Sequence, residues 1–267
     1  MAEISVIVNG ALGRVGAQVV ISVAADPALK LTGAVDIKAS GDKLPVPGKA
    51  QTVPLTTNLG TLLESCKADV LVDFSRPDAA MSAARLALKN GLHIVVGTTG
   101  LSDDNLKEID KLARDYKRGA FVAANFAIGA VMMMHLAGIA ARYFDNAEII
   151  ELHHDKKLDA PSGTALATAR AMMKARGKPF VYPPTEKETL KGTRGGQNDG
   201  IAIHSVRMPG MVASQEVIFG TLGQTLTIRH DTFSRESFMP GVLLAVKEVG
   251  KRRGLVFGLD ALLNLGE

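Results

Sequence analysis

The chain has 267 residues, 46% hydrophobic and 22% charged, with a formal charge of +4 scattered along its length. That size and apolar content describe a soluble globular protein of one large or two modest domains, and exclude a disordered chain. Nucleic-acid binding is excluded as well, because basic residues are not clustered with stacking aromatics: Trp is absent and Tyr occurs only 3 times.

The first 125 residues alternate short β-branched runs with helical stretches. Ile4 to Val8 leads to a helix over Gly13 to Ala25, and Leu31 to Val35 forms the second strand. The Pro-, Gly- and Lys-rich segment from Ala39 to Thr57 reads as an exposed excursion. Strand-like Val70 to Phe74, His93 to Val96 and Phe121 to Ala123 then alternate with helices over Asp78 to Asn90 and Asp103 to Tyr116. Such alternation writes a parallel sheet covered by helices. After Gly129 the pattern becomes a helix, Ala130 to Tyr143, and four strands: Glu148 to His153, Ile201 to Met208, Glu216 to Gly220 and Thr225 to His230. That is α+β organisation, expected to form a second domain over residues 126–238. A closing helix, Phe238 to Lys251, carries an apolar face through Val242, Leu243, Val246 and Val249, and residues 239–267 are expected to return to the first domain. Hinges are expected near 125–129 and 234–241.

Met1 leads directly into the first strand without a basic leader or a long apolar run, and Cys66 is the only cysteine. A disulfide framework is thereby ruled out, and a cytoplasmic protein with no membrane contact is expected.

The first strand ends in Val8-Asn9-Gly10-Ala11-Leu12-Gly13-Arg14-Val15-Gly16. Glycines between a strand and a helix let the backbone turn tightly beneath a pyrophosphate, which is held by the free N–H groups of the helix start. Leu12 occupies the place of the middle glycine of the common G-x-G-x-x-G pattern. Asp36, at the end of the second strand, lies about twenty residues further on, where an acidic side chain can accept hydrogen bonds from a ribose. Ile37 follows it, and NADH is therefore expected to serve at least as well as NADPH, although Lys38 is close. The turns Phe74 to Pro77, Gly97-Thr98-Thr99-Gly100 and Ala123-Ala124-Asn125-Phe126 follow later strands and should border the same crevice. The fold class expected is α/β, with a Rossmann-type dinucleotide-binding domain and a second, α+β domain for substrate binding and oligomerisation.

The segment Glu151-Leu152-His153-His154-Asp155-Lys156-Lys157-Leu158-Asp159-Ala160-Pro161-Ser162-Gly163-Thr164 leaves a strand, crosses a polar loop and enters a helix at Ser162. The N–H groups of Gly163 and Thr164 would then be unpaired helix donors, a cradle for a carboxylate. Two histidines and two lysines just before it offer proton donors and cations for a small acidic substrate. A zinc site at His153 and His154 is disfavoured, because adjacent strand residues face opposite ways and no third ligand lies at suitable spacing. Ser162 reads as a helix cap rather than a nucleophile. The competing plain reading of the segment is a solvated charged loop.

On these residues the chain resembles the dihydrodipicolinate reductase family, also called 4-hydroxy-tetrahydrodipicolinate reductases, over essentially its whole length. The resemblance rests on the Gly10 to Gly16 turn, Gly97 to Gly100, Ala124-Asn125-Phe126 and above all His153-His154 through Lys157 to Asp159-Ala160-Pro161-Ser162-Gly163-Thr164. It implies hydride transfer from NADH or NADPH to C4 of a cyclic unsaturated dicarboxylate in diaminopimelate and lysine biosynthesis. It further implies that His153 and Lys157 are catalytic, that His154, Gly163 and Thr164 bind substrate, and that the protein is a homotetramer. Cofactor binding falls to Gly10, Ala11, Leu12, Gly13, Arg14, Val15, Asp36, Gly97, Thr98, Thr99, Ala123, Ala124, Asn125 and Phe126. No metal is implied. Ser214 stands where relatives often carry a histidine. The alternatives are another two-domain NAD(P)-dependent dehydrogenase, which leaves the His153 to Thr164 segment unexplained, and a dinucleotide-sensing protein without turnover.

Overall fold

The computed structural model describes residues 3–265. From the amino terminus the elements are β1 (Ile4–Asn9), α1 (Gly16–Ala25), β2 (Leu29–Val35), β3 (Lys43–Pro45) and β4 (Thr52–Thr56). Next come α2 (Leu59–Ser65), β5 (Val70–Asp73), α3 (Pro77–Lys89), β6 (His93–Val96), α4 (Asp103–Asp115) and β7 (Gly119–Val122). The middle of the chain forms α5 (Ile128–Ala140), β8 (Asn146–His153), α6 (Gly163–Arg176), β9 (Gly196–Asn198), β10 (Ile201–Arg207), β11 (Ala213–Thr221) and β12 (Gln224–Thr232). It closes with α7 (Met239–Val249) and β13 (Gly254–Phe257), accompanied by two short 3-10 turns. Two compact units result: Met1–Ile128 with Arg235–Glu267, and Gly129–Ser234.

The first unit holds an eight-stranded sheet in the order β13-β7-β6-β5-β1-β2-β4-β3, parallel except for β3. Its central strands are short, largely apolar runs buried along their length, as β5 and β7 show, because helices cover both faces. Local chemistry starts the helices: Pro77 opens α3, and a Ser102/Asn105 capping box with Asp103 and Asp104 behind it opens α4. This arrangement is the Rossmann-type order expected, with strand succession reversing about β1.

The segment 39–57 is mostly exposed, as expected, but it is not all loop. It supplies β3 and β4, and buries Val46, Val53 and Leu55. β4 pairs in parallel with β2, while β3, carrying Lys43 and Pro45, forms the sheet edge. Lys and Pro are the residues with which sheets blunt an exposed edge, so edge-strand chemistry had the composition of a loop. The helix α2 and the terminal strand β13 were likewise not anticipated.

The second unit is built on a mixed sheet in the order β12-β11-β8-β10-β9. Ala147 and Ile149 of β8, Ile201 and Ile203 of β10, and Val217 and Phe219 of β11 form one apolar face. Met133 and Ala137 of α5, with Ala165, Ala169 and Met172 of α6, cover it. Each such Ile, Val or Met side chain contributes on the order of 1.5–3 kcal/mol by leaving water. Along β8 the inward positions run Ala147, Ile149, Glu151, so a carboxylate continues an apolar row.

Candidate active site

Backbone register brings the first-unit candidates together. Val35, Asn9, Asp73, Val96 and Val122 lie side by side across β2, β1, β5, β6 and β7. The next residue on each strand is therefore Asp36, Gly10, Phe74, Gly97 or Ala123, all at the carboxyl edge of the sheet, where open α/β sheets bind ligands.

Steric limits at that edge are severe. Gly10 has φ +79°, and a side chain there would reach within 2.5 Å of the Phe74 carbonyl oxygen. A Cβ on Gly16 would lie 1.9 Å from the Gly10 carbonyl oxygen. Gly10 and Gly16 can therefore present only backbone to a ligand, the requirement of a pyrophosphate cradle. Asp36 is buried, and its two carboxylate oxygens accept from the N–H groups of Leu12 and Lys38, both at 2.9 Å. Each oxygen keeps a lone pair for a ribose hydroxyl. A cavity of ≈ 520 Å³ opens here, bordered by Gly10, Gly13, Asp36, Ile37, Lys38 and Arg76 among others.

The remaining first-unit candidates divide by exposure. Leu12, Arg14, Thr99 and Ala124 are exposed, and Gly13, Val15, Gly97 and Asn125 are half-buried. Ala11, Ala123 and Phe126 are buried and can offer a ligand only their backbone. The Phe126 ring packs against Phe74 and Phe121, both at 5.7 Å between centroids. Gly97 leaves room for the Phe74 ring, which a Cβ would approach to 2.1 Å. The Thr98 hydroxyl donates to Asp73 at 2.6 Å and accepts from the Ser75 N–H at 2.9 Å. Asp73 also accepts from Asn9 and the Ser75 hydroxyl, so this buried carboxylate organises three neighbouring turns. Asp73 was missed in the sequence, where an acid ending the run Val-Leu-Val-Asp was the available signal.

In the second unit His153 is the last residue of β8 and His154 begins the loop beyond it. Lys157, one-fifth exposed, donates to Asp159 at 2.7 Å. Ser162 caps α6 by accepting from the Ala165 N–H at 3.1 Å. The N–H groups of Gly163 and Thr164 then open the helix with no acceptor in the preceding turn, and a methyl group added at Gly163 would meet nothing within 4 Å. Further along α6, Thr168 receives the Gln215 side chain at 2.8 Å, which fixes the helix to β11.

Glu151 and Arg207 complete this cluster, and neither was assigned a role from the sequence. The carboxylate of Glu151 is fully buried. It lies within hydrogen-bond reach of His153 Nδ1, and accepts from the Ser162 N–H at 3.2 Å and from both Arg207 guanidinium nitrogens at 3.0 and 2.7 Å. Burial pushes the Glu151 carboxyl up, but Arg207, Ser205 and His153 together outweigh it and hold the group below its ordinary value. Desolvation is the largest influence on His153 and lowers it; Glu151 opposes that effect, while Lys157 and Arg207 add to it. The cluster thus joins an imidazole that burial holds below its ordinary value, an ammonium group and an open helix start, a set suited to donating a proton and holding a small carboxylate.

Comparison with known proteins gives matches along both units. The family model described as dihydrodipicolinate reductase, N-terminus, matches residues 4–126, and its C-terminus counterpart matches residues 129–263. A 4-hydroxy-tetrahydrodipicolinate reductase of Dehalococcoides mccartyi is 50% identical over 265 residues, covering 99% of this chain and 100% of that protein. One from Syntrophomonas wolfei is 48% identical, covering 97% and 98%. The dipicolinate-bound dihydrodipicolinate reductase from Paenisporosarcina sp. TG-14 superposes with a TM-score of 0.87 at 42% identity, over 97% of this chain and 99% of that one. Matched along both units at this level, the chain belongs to the dihydrodipicolinate reductase family.

Proposed function

We propose that the protein is a 4-hydroxy-tetrahydrodipicolinate reductase acting in diaminopimelate and lysine biosynthesis. The observation that carries the chemistry is the pairing of His153 with a buried carboxylate close to the open N-terminus of α6. Reduction at C4 of the cyclic dicarboxylate takes up a hydride and expels the 4-hydroxyl, which leaves as water with one proton. NADH or NADPH supplies the hydride when bound.

The first unit's residues fit that dinucleotide. The Gly10 to Val15 turn would receive the pyrophosphate, since no side chain can be accommodated at Gly10 or Gly16. Asp36 would accept the ribose hydroxyls, and the backbone at Gly97, Thr98, Thr99 and 123–126 would border the nicotinamide end. Ile37 presents no cation to a 2′-phosphate, although Lys38 and Arg76 border the same cavity, and NADH is proposed to serve at least as well as NADPH.

In the second unit Gly163 and Thr164 would hold a substrate carboxylate through their N–H groups, with His154 as a further contact. His153 would donate the proton through Nε2, and Lys157 would act as a second donor. The substrate is accordingly a small dicarboxylate. Assembly is proposed to be a homotetramer through the second unit's sheet. Its edge strand β12 is exposed along most of its length, with Leu222, Leu226 and Phe233 open nearby; light scattering tests it. The proposed location is the cytoplasm, in keeping with a single free thiol at Cys66; among the described residues no helix is long and apolar enough to cross a membrane.

The deciding experiment follows the absorbance of NADH and, separately, NADPH with freshly prepared substrate. Turnover with kcat/KM for NADH at or above that for NADPH is expected. Absence of turnover with either refutes the function, and a strong NADPH preference refutes the reading of Asp36 and Ile37.

A further inference from the structure

The inward row of β8 places Glu151 where its neighbours Ala147 and Ile149 are apolar. Burying a carboxylate there is a weak device for stability in general, since buried ion pairs are often replaceable by well-packed apolar residues at no loss. Yet this one is saturated. Oε2 accepts from Arg207 Nη1 and faces His153 Nδ1 at hydrogen-bond distance, and Oε1 accepts from the Ser162 N–H and Arg207 Nη2. Arg207 Nη2 also donates to the Asp159 carbonyl at 2.7 Å, which ties down the loop between His153 and Ser162.

An ionised carboxylate only accepts, so the proton of neutral His153 must lie on Nδ1. Nε2 is then the atom left for the substrate, an acceptor when neutral and a donor when protonated. The other carboxylate oxygen anchors the residue that caps α6, so one side chain sets both the imidazole and the helix start. We infer that Glu151 is a positioning residue of this site, fixing the tautomer of His153 and, with Arg207, tying that imidazole to the Ser162–Thr164 end of α6. The inference rests on the proposed role of His153 as proton donor.

The charged groups facing His153 are Glu151 on its own strand, Arg207 from β10 and Lys157 from the following loop; β11 places the uncharged Ala213 opposite it. In Glu151→Gln the favourable negative charge disappears and Arg207 is left unopposed. Protonation of His153 therefore becomes harder, and the limb of the kcat/KM pH profile that reports it moves to lower pH. A fall in kcat of roughly 10- to 100-fold is expected from the loosened geometry, with NADH affinity unchanged. Glu151→Asp, which restores the charge, should return the limb toward its native position.

The test combines these profiles with imidazole ¹⁵N NMR of the full-length native chain, which reads the tautomer without turnover. An Nδ1–H tautomer in the native chain, with a slower Glu151→Gln variant and a displaced limb, supports the inference. A native Nε2–H tautomer overturns it, and does so even if Glu151→Gln fails to fold. Native turnover with kcat and limb unchanged in Glu151→Gln overturns the positioning role alone. A native chain with the Nδ1–H tautomer and no reduction of substrate overturns the proposed function instead.

Discussion

Gly163→Ala separates a glycine kept for a ligand from one kept for the fold. A methyl group at this first position of α6 meets no protein atom within 4 Å. Alanine is a better helix former than glycine by up to ~1 kcal/mol, less at a helix start than in its interior. Thermal stability should stay level or rise, by about 2–4 °C at most for a chain of this size. If the Gly163 and Thr164 N–H groups receive a substrate carboxylate, the same methyl should crowd it, since the space it enters is otherwise open. Losing one charge-assisted hydrogen bond is worth ~1.5–3 kcal/mol, which corresponds to roughly 10- to 150-fold in affinity. Calorimetric titration with pyridine-2,6-dicarboxylate in the presence of NADH, beside a melting curve, measures both quantities. Native affinity in the variant, or a melting temperature several degrees lower, refutes the cradle.

Gly16→Ala should behave in the opposite manner. Its methyl would press on the Gly10 carbonyl oxygen at 1.9 Å, so a destabilisation of about 1–3 kcal/mol is expected. The opened turn should weaken NADH roughly tenfold or more, the equivalent of ~1.4 kcal/mol; unchanged fluorescence titration with NADH would sink this. His153→Ala and Lys157→Ala should each lower kcat by about 10² or more while NADH binding stays nearly intact, and native turnover in both would remove their assignment. His93 in β6 is held below its ordinary value, first by burial and then by Arg118 and Arg253, and its Nδ1 accepts from the Gly119 N–H at 2.8 Å. The unfolded chain protonates this group near pH ~6.5 while the native state resists. Stability is therefore retained above that pH and declines as the pH falls through it. His93→Asn, which keeps an acceptor, should narrow the gap between melting temperatures at about pH 7.5 and about pH 5.5; an unchanged gap argues against the linkage.

Much of the fold could be read along the chain because its signals are local. Period-two and period-3.6 apolar patterns, Pro77 at a helix start and the Ser102 to Asn105 capping box lie within a few residues of what they determine. The 39–57 segment failed that reading because edge strands use the same Pro and Lys as loops, and only pairing with β2 reveals β4 as a strand. Asp73, Glu151 and Arg207 were missed for a related reason. Their roles depend on partners such as Thr98, 25 residues from Asp73, and on the 56 residues that separate Arg207 from Glu151.

By itself the sequence determined the two-part organisation, the glycine turn ahead of α1, the acid at the end of β2 and the His153 to Thr164 segment. These are consequences of residue type and short spacing, which fix backbone geometry wherever they occur. Tertiary structure alone decided which carboxylate lies behind His153 and which ring nitrogen faces it. Hydrogen bonding of that kind is set by side chains brought together from β8, β10 and the start of α6, and no local pattern encodes their meeting.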